Sequence, residues 1–279
     1  MATAKHLAIA VIGFLATSAS ISTPTRATSL PPAEDTAKAR LNGSQRHAEL
    51  ATVDVRGTPV RVWVVYPERK DAAPAVIVIH EIFGLTDWIR GVADQLAADG
   101  FIAVAPDLLS GKGPGGGGTE AYPSRDDVTK AVSGLARDEV IARLDAVRDW
   151  ALARPAANGK SASLGFCWGG STSFAWAVAQ PGLAAAVVYY GTAPDDLSKL
   201  LAVRAPVLGL YGGSDARVGA TIPATEAKMN ELGKAYEPHV FEGAGHGFLR
   251  AQDAQSGANL RATEQAWPLT IAFLRQHTK

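Results

Sequence analysis

Cys167 is the only cysteine in a chain of 279 residues. It stands in Leu164-Gly165-Phe166-Cys167-Trp168-Gly169-Gly170, between an apolar run ending at Phe166 and a helix-forming stretch from Ser171 to Gln180. A strand, a sharp turn and a helix with small residues around the bend make a nucleophile elbow, here with cysteine in the serine position. Two further residues have the chemistry such a thiol needs. Asp215 closes Tyr211-Gly212-Gly213-Ser214-Asp215, a strand running into a tight turn. His246 lies in Gly243-Ala244-Gly245-His246-Gly247-Phe248, a loop of small residues that leaves an imidazole free to approach a neighbour. Histidine shuttles protons to and from the nucleophile, while the carboxylate fixes its tautomer and stabilises the imidazolium. Taken singly, each has a plainer reading: a small buried hydrophobe, a turn cap, a loop histidine bound to backbone. Together, in the order nucleophile, acid, histidine, they fit acyl-transfer chemistry on an α/β-hydrolase scaffold.

Glu81 adds a second carboxylate. It follows the apolar run Ala75-Val-Ile-Val-Ile-His80 and opens the stretch Glu81-Ile82-Phe83-Gly84-Leu85. His80-Glu81 shares only its first two letters with a zinc-binding helix motif, because no histidine follows four residues after His80. No metal site is expected. Gly113 to Gly118, Gly-Pro-Gly-Gly-Gly-Gly, lacks the ending and context of a phosphate loop and reads as a mobile loop.

These residues are far apart in sequence, so the elements between them must bring them together. Leu50–Arg56 and Val60–Tyr66 read as a hairpin turning at Gly57-Thr58. Ala75–His80, Phe101–Ala105, Ser161–Phe166, Ala184–Tyr190, Val207–Tyr211 and Glu237–Phe241 read as further strands, the continuous apolar runs being those of strands buried on both faces. Helices are expected over Asp87–Ala98, over Asp126–Leu152 with a break near Gly134, and over Ala262–Gln276. Alternating strands and helices give a mostly parallel sheet of about eight strands flanked by helices, with an antiparallel edge from the hairpin and little or no cap. In such sheets ligands bind at the carboxyl ends of the strands. Glu81, Cys167, Asp215 and His246 each follow a strand, so one rim can gather all four.

Composition narrows the partners. The chain carries 27 basic and 27 acidic residues, which gives no electrostatic case for nucleic acid or an anionic membrane surface. The N-terminus differs from the rest: Lys5, then an apolar run from Leu7 to Ala16 too short to span a bilayer, then small residues with cleavage sites after Ala19 or Ala27. Residues 1–27 are therefore expected to be a secretory signal, 28–46 a polar linker with Pro31-Pro32, and 47–279 the folded domain. The mature protein is expected in the periplasm or outside the cell, monomeric and with no stable membrane insertion. An unpaired cysteine in an exported protein is either inert and buried or a reactive thiol.

The stretches His80–Gly84, Ala105-Pro106-Asp107-Leu108, Gly165–Gly170, Tyr189-Tyr190-Gly191, Gly212–Asp215 and Gly245–Arg250 resemble those of the dienelactone hydrolase family, over about Leu50 to the C-terminus. The resemblance implies a single-domain α/β-hydrolase, without cofactor, that opens an unsaturated lactone carrying a carboxylate. It implies Cys167 as nucleophile, His246 as acid and base, and Asp215 as its partner. It also implies that Glu81 pairs with the resting thiol and is displaced by substrate. The oxyanion hole falls to the backbone N–H groups of Trp168 and Ile82. Arg250, four residues after His246, matches the arginine that holds the substrate carboxylate, and Arg125 is a second candidate on the loop before the long helix. Phe83 and Trp88 are candidates for lining the pocket, the plainer reading of aromatic residues there being core. The function expected is therefore cysteine-dependent hydrolysis of an ester or lactone. An exported carboxylesterase of other specificity, a thiol redox protein and a non-catalytic binding protein on the same scaffold are the alternatives.

Overall fold

The computed structural model describes Met1 and residues 29–279. The expected signal segment, apart from Met1, lies outside the described residues. Eight strands form one sheet: β1 (Ala48–Val55), β2 (Thr58–Val65), β3 (Ala73–Ile79), β4 (Ile102–Pro106), β5 (Ala157–Phe166), β6 (Ala185–Tyr189), β7 (Val207–Gly212) and β8 (Tyr236–Phe241). Their spatial order is β1-β2-β4-β3-β5-β6-β7-β8. The β1–β2 hairpin and the β2–β4 pair are antiparallel, and every pair from β4 to β8 is parallel. The hairpin turns at Arg56-Gly57, where both residues have positive φ, one position earlier than the sequence suggests.

Eight helices accompany the strands among the described residues: α1 (Glu34–Gly43), α2 (Asp87–Ala98), α3 (Arg125–Ser133), α4 (Arg137–Leu152), α5 (Trp168–Ala179), α6 (Ala216–Gly219), α7 (Ile222–Glu231) and α8 (Ala258–His277). None is long and apolar enough to cross a membrane. The period-two alternation of strand side chains divides the core into two layers. On β3, Val76 and Val78 face the layer of Trp88, Ile89, Trp267 and Ile271 from α2 and α8, while Ala75, Ile77 and Ile79 face Leu144, Val147 and Trp176 from α4 and α5. All seven residues of β3 are buried, as a strand covered on both faces requires. The expected helix over Asp126–Leu152 is two helices, α3 capped by Ser124 and ended at Gly134, then α4.

Two expectations need correction. From residue 29 onward, the expected linker 28–46 is not a bare linker. Pro31 and Pro32 are buried, and α1 follows them with Ala37 buried against α2. The helix has hardly any apolar face, so its sequence carries no amphipathic signal. Polar contacts with α2 hold it instead. Arg46 grips Asp94 with Nε at 2.9 Å and Nη2 at 2.6 Å, and Ser44 Oγ donates to the same carboxylate at 2.6 Å. Arg40 donates to Gln95 Oε1 at 2.9 Å and to the Leu30 carbonyl at 2.8 Å. Trp88 Nε1 donates to the Pro32 carbonyl at 3.0 Å. Gly91 lets the segment approach, because a Cβ there would stand 2.6 Å from Pro32 Cγ. The second correction concerns Gly113–Gly118, which is folded rather than free. Short 3-10 turns occupy Pro114–Gly116 and Thr119–Ala121. Thr119 donates from N and Oγ1 to Asp107 at 2.8 and 2.7 Å, and its Oγ1 accepts from Leu85 N at 3.1 Å. Thr119, directly after the glycines, thus ties this segment to Asp107 and to the loop that follows β3.

Candidate active site

The carboxyl ends of β3, β5, β6, β7 and β8 meet at one rim, and the four predicted residues come from the turns just after β3, β5, β7 and β8. β5 stops at Phe166 and α5 starts at Trp168, leaving Cys167 alone at the bend with φ 55° and ψ −114°. A non-glycine residue with positive φ is strained, and strain of this kind persists only where the surroundings enforce it. Here they do. Cys167 N donates to the Tyr189 carbonyl at 3.0 Å, tying the bend to the end of β6. A Cβ on Gly165 would overlap the Gly169 carbonyl, and one on Gly169 would overlap the carbonyls of Ile79 and His80. The elbow therefore closes only with glycine at both places.

Asp215 is the N-cap of α6, with Oδ1 accepting from Val218 N at 3.3 Å. Its other oxygen, Oδ2, is 2.6 Å from His246 Nδ1. That bond puts the proton on Nδ1 when the imidazole is neutral and leaves Nε2 as the acceptor. The aspartate side chain is 7% exposed and the histidine 32%, so the pair presents one imidazole face to solvent and substrate. Tyr190, in the positive-φ region at 41°, sets its ring edge-on to His246 with centroids 5.2 Å apart. Its buried hydroxyl has no hydrogen-bond partner. Burial first, and then the Glu81 charge, hold that phenol well above its ordinary value.

Glu81 is 3% exposed. Burial is the main reason that its carboxyl rises to about 7, with the positive charge of Arg250 opposing the rise. His80 fixes the backbone at this point. Its ring accepts at Nε2 from Leu108 N at 3.4 Å and donates from Nδ1 to the Glu81 carbonyl at 2.7 Å. The expected pairing of Glu81 with the resting thiol is not what the side chains do. Glu81 Oε2 lies 2.8 Å from Arg250 Nε as a close ion contact, off the N–H axis so that Nε is left without a proper acceptor. Glu81 still reaches Cys167 through charge. Burial pushes the thiol up to about 11 and the Glu81 carboxylate adds to the rise, while the Trp168 N–H and the Arg250 charge oppose it. The resting sulfur is a neutral thiol.

Both arginines singled out from the sequence reach this rim. Arg125 opens α3 instead of sitting on a loop, with its guanidinium carbon 3.6 Å from the centroid of the Phe83 ring. Arg250 approaches the same ring at 5.3 Å. Phe83 thus stands between the two cations and belongs to the site. Trp88 does not. It is 1% exposed, packs edge-on to Phe166 at 5.0 Å and spends its N–H on Pro32, because the first turn of α2 points that side chain into the core. Sequence reasoning assigned no role to Tyr190, although its place just after β6, next to the elbow strand, was a usable signal. It also missed Glu34, the first residue of α1, whose carboxylate lies between Arg125 and Arg250.

A family model described as the dienelactone hydrolase family matches residues 60–278. A "Putative carboxymethylenebutenolidase" of Salmonella typhimurium is 29% identical over 246 residues, covering 82% of this chain and 87% of its own. A carboxymethylenebutenolidase of Pseudomonas putida is 31% identical over 194 residues, covering 66% and 79%. The crystal structure of a Klebsiella pneumoniae protein named "Putative Dienelactone Hydrolase" superposes with a TM-score of 0.74 at 28% identity, over 84% of this chain and all of that one.

Proposed function

Because the chain belongs to the dienelactone hydrolase family, we propose that this hydrolase of ester or lactone bonds works through an acyl-thioester on Cys167. The observation that carries the reading is the strained Cys167 elbow at the head of α5, on the same strand-end rim as an imidazole already oriented by Asp215 at 2.6 Å. In the first half-reaction the thiol proton passes to His246 Nε2 and the sulfur attacks the carbonyl carbon. The developing oxyanion accepts from the N–H groups of Trp168 and Ile82, at the free end of α5 and the turn after β3. Collapse breaks the acyl carbon–oxygen bond, and the leaving oxygen takes the proton from His246. For a lactone this leaving group stays attached to the acyl chain. Water then loses a proton to His246 and adds to the thioester. Expulsion of the sulfur, reprotonated by His246, releases the acid.

The thiol at about 11 gives Glu81 and Arg250 a part in timing. A substrate carboxylate drawn to Arg250 would compete with Glu81 for that cation. Glu81 would then be easier to protonate, and its restraint on thiol ionisation would fall. The names of the relatives support a carboxylate-bearing unsaturated lactone as substrate. One observation favours a second specificity, that of a carboxylesterase for uncharged acyl groups: Glu34 already occupies the two arginines. A redox role finds less support, since a thiol held this high is seldom the thiolate that peroxide attacks. We also place the mature protein outside the cytoplasm, on the strength of Lys5 and the short apolar run Leu7–Ala16.

The test is Cys167→Ala against a panel of lactones and activated esters, with and without a carboxylate. Turnover should fall at least about 10³-fold, and mass spectrometry of the parent quenched during turnover should find the acyl group on Cys167. Full activity in the variant would overturn the mechanism.

A further inference from the structure

Glu34 comes from the segment that the sequence presents as a linker, yet its carboxylate sits in the functional rim. Its oxygens are divided between two cations: Oε1 is 3.1 Å from Arg125 Nη1, and Oε2 bonds to Arg250 Nη1. Its backbone N donates to the Arg250 carbonyl at 3.0 Å, so the main chain as well as the side chain is registered on that residue. The same Arg250 touches Glu81, and the charges of both Glu81 and Arg250 bear on the Cys167 thiol. Phe83 forms the wall shared by the two guanidinium groups. A carboxylate held by two arginines over an aromatic wall, beside a nucleophile, has the contacts expected of the acid end of a bound substrate.

We infer that Glu34 is a specificity-determining residue: it fills the carboxylate seat formed by Arg125 and Arg250, so that the enzyme favours acyl groups without a charge. The inference rests on the hydrolase reading above and adds which acyl groups that site accepts. Its physical basis is competition within one molecule. The segment before α1 is latched by Pro31, whose carbonyl accepts from Gln252 Nε2 at 3.0 Å, and by Pro32, whose carbonyl accepts from Trp88. The segment after α1 is latched by Arg46 on Asp94. A carboxylate tethered at both ends acts at a high effective concentration, and a carboxylate arriving from solution must displace it. An uncharged acyl chain has no such competitor. Glu34 is 38% exposed and Arg125 52%, so displacement needs a side-chain rotation and no opening of the core.

The experiment compares the parent with Glu34→Gln on two activated esters of matched length, 4-nitrophenyl hydrogen glutarate and neutral 4-nitrophenyl valerate. Calorimetric titration with glutarate, which requires no turnover, accompanies it. Loss of one charged partner at an arginine pair is expected to raise the ratio of kcat/KM, charged over neutral ester, by about tenfold or more, and to tighten glutarate binding by a similar factor. A ratio within twofold of the parent, with unchanged glutarate affinity, overturns the inference. So does an equal fall on both esters with a lowered Tm, which is the mark of a purely structural tether. If neither ester is hydrolysed by either protein, the hydrolase reading fails, and the glutarate titration alone still decides whether Glu34 holds the seat.

Discussion

At the scale of single residues the site is a set of opposed charges around a neutral thiol. Burial raises Cys167 to about 11 and Glu81 to about 7, and each carboxylate or guanidinium nearby shifts that balance. The sign of one consequence is fixed. Above pH 7 Glu81 is ionised and opposes thiolate formation. Its replacement in Glu81→Gln should therefore speed iodoacetamide alkylation of Cys167 at pH 8, by roughly threefold or more, with the difference shrinking below pH 7. An identical alkylation rate for both proteins across that range would show that Glu81 exerts no restraint on the sulfur. The residue types and positions of Cys167, Asp215 and His246 were readable from the chain because each sits in a turn or loop of small residues after a strand, apolar in the case of β5 and β7. The partner of Glu81 was not readable. Glu81 lies 2.8 Å from Arg250, a residue 169 positions further along the chain, and a side chain's choice of partner is made by a docking geometry that the sequence does not contain.

At the scale of elements, glycines decide what can approach. The elbow needs Gly165 and Gly169, and α1 needs Gly91. Gly91→Leu should push the Pro31-Pro32 segment off α2. Loss of stability on the order of 1–3 kcal/mol by denaturant melts, together with faster proteolysis within residues 29–46, is expected. Unchanged melting and cleavage would mean that the segment is not held by this packing. The central strands β3, β4, β6 and β7 were legible from their apolar runs, and α2 was legible to the residue, from Asp87 to Ala98. α1 was not. An amphipathic helix announces itself by a stripe of buried residues, and α1 buries only Ala37. It is held by Asp94 and Gln95, two polar residues of another helix whose buried position no local pattern reveals. Trp88 was misread for a related reason: the loop before α2 leads to the rim, while the first turn of α2 already faces the core.

For the whole molecule, the buried carboxyl couples the site to folding. Glu81 binds its proton more tightly in the native state than in the unfolded chain, where its value is 4.5. The stabilisation this gives is complete below pH 4.5 and is lost as pH rises through about 7, the reverse of an ordinary ion-paired carboxylate. From pH 4.5 to 7.5 the parent should accordingly lose more stability than Glu81→Gln, by an amount on the order of 3 kcal/mol. Parallel stability curves for the two proteins would refute the burial-driven rise. The sequence by itself determined the strand–helix alternation and hence a mostly parallel sheet, because apolar periodicity records which faces are buried. It also determined the order of Cys167, Asp215 and His246 along the chain, because each is tied to the end of its own strand. Only the tertiary structure decided what surrounds them: Tyr190 edge-on to the imidazole, Glu81 on Arg250, and above all Glu34 seated on Arg125 and Arg250 across more than ninety positions of sequence. Local pattern encodes burial, whereas the pairing of charges depends on how separate elements are docked, and that is set by the packed molecule alone.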